Sequence, residues 1–308
     1  MSTYIDLSDI LKPDDVVYNT PVIPEELVNT SSSSPFDVSQ FINELRTKSE
    51  EKNKAYMEMS NSISGYDIAH NCIGHTVKKL LNYPVENYAS SWLPIHFRSV
   101  MGTAIHDFIQ EFTNQFTEVE PSIKIPSINF SGRIDALISD NILVEIKSCS
   151  YDDYKTILKT RQPRKADFYQ TMVYKYVLEN YLEEAKSGKV KTRTQPPKLN
   201  KYKIDTIQFI YVCHQLVCSD IESLSLDNKM AIEIKKQLSS KHNPFFFITE
   251  LTIDLNEFDP EPYINWIKSK IDAINGYVQN NKLPTNEDPF VDLKKCFFCP
   301  YTNCCELK

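Results

Sequence analysis

The chain has 308 residues, 41% of them hydrophobic and 11% aromatic, with a formal charge of −7 at neutral pH. That length gives one or two domains and a sizeable core, and the acidic balance argues against a surface that binds polyanions everywhere. With only 6 glycines there is no G-x-x-x-x-G-K and no G-x-G-x-x-G, which excludes a built-in ATP motor and a dinucleotide-binding fold.

Residues 1–35 are rich in Pro, Asp and Ser, with Ser31 to Ser34 in a row, and read as a loosely docked arm. An amphipathic helix is expected over 37–59, with Phe41, Ile42 and Leu45 on its apolar side. Residues 1–60 thus read as a partly mobile N-terminal piece and 61–308 as the main domain. Ser64 can cap a helix that runs to about Asn82 and carries Cys72. Pro84 and Pro94 bracket a linker, and a helix over 99–116 carries Gly102 and His106. Strands are expected at Ile123–Pro126, Gly132–Ser139 and Ile142–Ser148, the last two joined by an Asp140-Asn141 turn. A helix over 165–184 follows, then an exposed loop over 186–203 with seven basic residues and no acidic one. Strands near 204–216 and 244–253 precede a final helix over 261–279, which leads into the cysteine-rich tail. This order predicts an α/β fold, a central mixed β-sheet flanked by helices.

The start, MSTYIDLSDILKPDD, is acidic and lacks the basic and apolar regions of a secretory signal, and no run of about 18 apolar residues exists to span a membrane. The 8 cysteines then point to a reducing compartment, cytoplasmic or at the nucleoid or nucleus, where thiols bind metals or sit buried. Cys296, Cys299 and Cys305 close the chain in CFFCPYTNCC. C-x2-C followed by a third thiol is ligand spacing, since two thiolates on one tight turn reach the same metal. Cys72 is the candidate fourth ligand and would join the two ends, with Cys304 the rival of Cys305. Cys149, Cys213 and Cys218 read as core residues.

Between those ends lies a second constellation. In Leu143-Val144-Glu145-Ile146-Lys147 a strand alternates, so Glu145 and Lys147 share one face while Val144 and Ile146 enter the other. Asp135 interrupts the neighbouring apolar strand. Two carboxylates on adjacent strands can converge on one hard divalent cation such as Mg²⁺ or Mn²⁺, beside which Lys147 would orient water and neutralise charge on a phosphate. A plain surface hairpin with paired charges is the bland alternative.

The ordered set Gly102…His106, Gly132…Asp135, Glu145-Ile146-Lys147 and Gln170…Tyr174 resembles the RecB-like branch of the PD-(D/E)XK nucleases. The resemblance covers about residues 62–305 and points toward the iron–sulfur members, the CRISPR-associated exonucleases and the AddB nuclease domain. It implies that His106, Asp135, Glu145 and the Ile146 carbonyl hold the metal and that Lys147 is catalytic. Gln170 and Tyr174 would contact DNA or buttress Lys147. It further implies a [4Fe–4S] cluster on Cys72, Cys296, Cys299 and Cys305 that joins the N- and C-terminal segments, with zinc as the alternative. Activity is expected to be exonucleolytic on single-stranded DNA ends, 5′→3′ in polarity, with a helicase or recombination protein as a possible partner. An endonuclease with the same site and a catalytically quiet DNA-binding subunit are the rivals.

Lys155, Lys159, Arg161, Arg164 and Lys165 follow the E-x-K strand with no acid among residues 154–165, so they are candidate phosphate contacts, with Arg98 a further one. Tyr151, Tyr154 or Tyr169 could stack on unpaired bases.

Overall fold

A computed structural model of the chain describes residues 47, 61–84, 92–187, 195–213, 248–292, 299 and 301, with side chains except at 92–99 and 112. The elements below all lie within the compact unit Lys48–Lys308. The expected arm and its helix, apart from Thr47, fall outside the described residues.

The centre is a five-stranded sheet in the order β1 (Glu118–Val119), β4 (Ala136–Ile138), β5 (Ile142–Cys149), β6 (Thr206–Cys213) and β7 (Ile248–Asp254). Only the β5–β6 pair is parallel, so the sheet is mixed as expected. Parallel pairing needs a crossover. It is made by helices α4 (Tyr151–Thr160), α5 (Lys165–Asn180) and α6 (Leu182–Ser187). A separate antiparallel pair joins β2 (Ser122–Ile125) to β3 (Phe130–Arg133). Ahead of the sheet come α1 (Gly65–His70), α2 (Ile73–Leu80) and α3 (Trp92–Phe112), and α7 (Glu261–Gln279) follows it. Among the described residues no helix is long and apolar enough to cross a membrane.

Strand β5 is covered on both faces, which explains its apolar run. Leu143 and Cys149 enter the main core with Met172, Val173 and Val177 of α5 and Ile267, Ile271 and Ile274 of α7. On the opposite face Val144 and Ile146 pack with Ala136 against Ile105 and Ile109 of α3. Full burial of one such side chain is worth about 1.5–3 kcal/mol, so the period-2 pattern fixes which way Glu145 points. Cys149 and Cys213 are register partners on β5 and β6, and both are buried.

Four departures from the sequence expectation have physical causes. The single helix from Ser64 breaks at Asn71–Cys72. Lys270 of α7 donates to the carbonyls of Ile68 (2.6 Å) and Asn71 (2.8 Å), satisfying groups that the break would orphan. Pro94 lies inside the first turn of α3, where a missing N–H costs nothing, so it does not close a linker. The stretch over 151–160, where no element is expected from the sequence, is a helix. Ser150 caps it by accepting the Asp153 N–H (3.2 Å), and Tyr154 and Ile157 are buried beneath it. The expected strand Gly132–Ser139 is two strands in two sheets, interrupted at Ile134–Asp135.

Candidate active site

That last interruption builds the site. Strand β4 pairs with β5 only as far as Ala136 opposite Val144, so among the described residues the edge of β5 beyond Val144 has no strand partner on that side. The Asp135 carboxylate fills the gap. Its Oδ2 accepts the Ile146 N–H at 2.8 Å, and its Oδ1 lies 3.4 Å from Nδ1 of His106, which α3 brings across the same edge. The Asp135 backbone carbonyl accepts from Gln110 Nε2 at 3.0 Å and from the Glu120 N–H at 3.0 Å, holding the kink in place. Gly102 stands where α3 crosses the end of β5, with room for an ordinary side-chain contact. A Cβ there would stand 3.5 Å from Ser148 Oγ.

On the α5 face of β5, Glu145 forms an ion pair with Lys147. Lys147 Nζ also reaches Gln170 Oε1 at 3.4 Å, and Gln170 Nε2 donates to the Tyr174 hydroxyl at 3.2 Å. Tyr174 is clamped between two glycines, since a Cβ on Gly65 or on Gly132 would stand 3.1 Å from its ring. The side chains of Asp135, Lys147 and His106 keep 15%, 20% and 22% exposure, while Glu145 keeps 1%. The cluster therefore opens to solvent with Glu145 at its floor.

Its electrostatics are short of positive charge. Burial pushes the Asp135 carboxyl up to about 6 against the pull of Lys147 and the Ile146 N–H. Burial and then the Asp135 charge push Glu145 up to about 8, with Lys147 opposing. Burial would lower Lys147, but the carboxylates of Glu145 and Asp135 outweigh it and hold the ammonium above its ordinary range. Burial and the Lys147 charge lower His106, which favours a neutral imidazole. Glu145 Oε2 has no hydrogen-bond partner among the described residues.

Two carboxylates with raised pKa values, a neutral imidazole and an unpartnered carboxylate oxygen suit a hard divalent cation in donor chemistry. They are not closed around one point, however. Among the described residues no group of three His, Cys, Asp or Glu side chains is arranged to hold an ion. Lys147 and the Ile146 N–H occupy the carboxylates in its place.

The other expected residues fall out differently. Gln170 and Tyr174 are both buried, at 8% and 4% exposure, so Tyr174 supports Gln170 from below and is not a DNA-facing group. Arg164 is engaged by Asp167 (2.7 Å) and Asp153 (3.2 Å) and packs over the Tyr211 ring, which removes it from the list of open phosphate contacts. Lys155 pairs with Asp152 at 3.2 Å, and Lys165 lies over the Tyr169 ring. Lys159 and Arg161 are exposed at the end of α4, and Arg161 takes the left-handed conformation that ends this helix. Arg98 lies within α3, and its side chain is outside what is described. Tyr154 is fully buried and cannot stack on a base. Tyr169 packs against Trp266 and Tyr263.

Of the cysteine set, Cys72 and Cys299 are described, whereas Cys296, Cys304 and Cys305 fall outside the described residues. Cys72 is the N-cap of α2, and the Asp292 N–H points at its sulfur from 3.5 Å. Cys299 Sγ lies 3.8 Å from Nδ1 of His75, in the first turn of the same helix.

Sequence reasoning missed Asp167, Gln110 and Gly65. Asp167 was signalled by its place three residues after Arg164 at a helix start, where an acid suits the helix dipole. Gln110 had a fainter signal, one turn beyond His106 on one helix face.

The family model described as the PD-(D/E)XK nuclease superfamily matches residues 77–306, and the chain belongs to that superfamily. Members use divalent metals such as Mg²⁺ or Mn²⁺. Among solved structures the chain is similar to an alkaline exonuclease (LHK-Exo) from Laribacter hongkongensis in complex with dAMP. Identity there is 13%, covering 72% of this chain and 90% of that one, with a TM-score of 0.40. It is also similar to SSO0001, at 15% identity over 88% of this chain and 97% of that one, TM-score 0.41. A phage-related exonuclease from Haemophilus somnus 129PT matches at 13% identity over 68% and 80%, TM-score 0.34. No curated protein matches the sequence.

Proposed function

We propose that this protein is a divalent-metal-dependent deoxyribonuclease that hydrolyses phosphodiester bonds from single-stranded DNA ends, 5′→3′, in recombination, repair or replication. The observation that carries the catalytic part is the charge imbalance at the open edge of β5. Two carboxylates stand there with raised pKa values, and one oxygen of Glu145 lacks a donor. His106, Asp135, Glu145 and the Ile146 carbonyl would hold Mn²⁺ or Mg²⁺. A cation there polarises a phosphoryl oxygen and makes a bound water acidic enough to attack.

The chain's own residues supply the rest. Lys147, kept protonated by its carboxylate neighbours, is no general base; it offers N–H bonds to a phosphate oxygen or an attacking water. Gln170 and Tyr174 fix its direction, so little reorganisation is needed when charge builds up. His106, held neutral, can donate a lone pair to a metal or a single N–H to the Ile146 backbone. The basic residues Lys155, Lys159, Arg161 and Lys165, on and after α4, supply phosphate contacts along the exit from β5. Single-strand, exonucleolytic action and its polarity rest on the motif resemblance, as does delivery by a helicase or recombination partner.

The reading includes a [4Fe–4S] cluster, or zinc in its place, on Cys72, Cys296, Cys299 and Cys305, with Cys304 as rival. Its support is that Cys299 returns to the helix start that Cys72 caps. Such a tie would close a loop of roughly two hundred residues and fix the tail.

End-labelled linear single strands, duplexes and circular single strands, each incubated with Mn²⁺, test the activity. Wild type should degrade the linear single strand and leave the circle whole, and Glu145→Ala should leave both intact. Equal cleavage by Glu145→Ala would overturn the assignment, and cutting of the circle would make the enzyme an endonuclease. A brown protein absorbing in the visible would carry the cluster; a colourless one containing zinc would remove it.

A further inference from the structure

One aromatic side chain beside the site is left open by the fold. Tyr66 is 55% exposed although it sits in a short helix whose neighbours Gly65 and Asp67 are buried. Its ring is stacked on His70, with centroids 4.3 Å apart and planes 8° from parallel. A ring that has lost one face to a stack and still keeps over half its surface has its other face open.

The stack stands on a firm base. His70 Nε2 lies 4.0 Å from Oδ1 of Asp167, which is fully buried. Asp167 in turn accepts from the Tyr211 hydroxyl at 2.9 Å and from Arg164 at 2.7 and 3.3 Å. The buried ion pair that withdraws Arg164 from direct phosphate contact thus lies next to the imidazole beneath Tyr66.

Its position follows from Gly65. The close approach of Gly65 to the Tyr174 ring draws the start of α1 onto the side-chain relay that ends at Lys147 Nζ. Tyr66 is the next residue. Burial and then the Asp67 charge raise the pKa of its hydroxyl, with Lys147 and Arg164 opposing, so this end of the side chain is turned toward the charged site.

We propose that Tyr66, braced by His70, is a stacking platform for one unpaired nucleobase of the strand whose phosphate is presented to Lys147. This rests on the nuclease reading above and deepens it. A base within a duplex already has both faces covered by its neighbours, so an open ring at the site favours a strand that can splay a base onto it. Every base has a π-face, so the platform selects unpaired strands without selecting sequence. Tyr66 is here a binding residue for the base and His70 its positioning residue.

The test is binding of a labelled single-stranded oligonucleotide by anisotropy, with Ca²⁺ in place of Mn²⁺ to hold back cleavage and the DNA checked for integrity afterwards. An abasic site is walked along the strand. Wild type should lose roughly 10-fold in affinity when the abasic site reaches one particular position. Tyr66→Ala should bind the intact strand as weakly as wild type binds that abasic strand, and should be indifferent to the abasic site. Tyr66→Trp and Tyr66→Phe should restore both affinity and sensitivity. A merely structural role for Tyr66 would weaken binding yet leave the abasic position mattering, and that outcome overturns the platform. So does a Tyr66→Ala protein that binds like wild type, or a wild type with no sensitive position. If wild type cuts DNA under Mn²⁺ while any of these holds, the platform alone fails. If wild type neither cuts nor binds DNA, the nuclease reading fails with it.

Discussion

At Asp67 and at Glu145 a buried carboxylate meets a lysine ammonium, and the two carboxyls shift in opposite directions. Burial would raise both. Asp67 is nevertheless held below its ordinary value by Lys79 (2.5 Å) and Ser64. It collects four donors: the Ser64 N–H (2.9 Å), the Ser64 hydroxyl (2.7 Å), Asn71 Nδ2 (2.9 Å) and Lys79 Nζ. Asp135 and Glu145 lie beside one lysine and gather few other donors; burial and then Glu120 raise Asp135, and burial and then the Asp135 charge raise Glu145. The first arrangement completes a capping box and a helix start, and there a full set of donors satisfies the charge. The second leaves a deficit of positive charge at a solvent-facing edge. Where a fold carries such a deficit unrelieved, the burden is borne for chemistry.

The comparison breaks most sharply in activity. Asp135→Asn and Glu145→Gln should each lower the cleavage rate roughly 10³-fold or more, because they remove charge from the groups proposed to hold the metal. The same substitutions should leave the melting temperature of the metal-free protein unchanged or raised, since they remove a repelling charge. At the other pair the effects should invert. Lys79→Met leaves Asp67 buried without its cation and should cost about 3 kcal/mol in urea unfolding, with the cleavage rate per folded molecule kept. A stability loss at Glu145→Gln as large as at Lys79→Met would erase the distinction. A smaller effect lies between the two. Gly132→Ala places a Cβ 3.1 Å from the Tyr174 ring and 3.3 Å from Phe130, and should cost about 1–2 kcal/mol with a modest fall in kcat as Gln170 loses its support.

Much of this was legible in the sequence where one local period sets the outcome. The alternation Leu143–Lys147 gave β5 and the side on which Glu145 and Lys147 lie, and α7 begins and ends where its apolar spacing places it. The kink at Asp135 was not legible, because it depends on where β4 stops pairing with β5, and an apolar run with one aspartate reads as a continuous strand. The break at Asn71–Cys72 depends on Lys270, whose ammonium comes from far along the chain. Helix α4 was hidden by its basic residues, although Ser150 with Asp152 and Asp153 is an N-terminal signature. The role of Arg164 was misjudged for the same reason: a basic residue near a site reads as a phosphate contact until its partners, Asp153 and Asp167, are seen.

Thermal melting with and without Mn²⁺ at pH 6 and pH 8 tests the central claim, that the edge of β5 is built to receive a cation. A carboxyl whose folded pKa is raised binds protons more tightly when folded. Its stabilisation is therefore full below the unfolded pKa and is lost as pH rises through about 6 for Asp135 and about 8 for Glu145. Without metal the protein should melt lower at pH 8 than at pH 6 on account of this pair. Mn²⁺, competing with fewer protons at pH 8, should raise the melting temperature more there, and Glu145→Gln should lose most of that gain. A Mn²⁺ shift that is absent, or that is the same in Glu145→Gln as in wild type, would contradict the account.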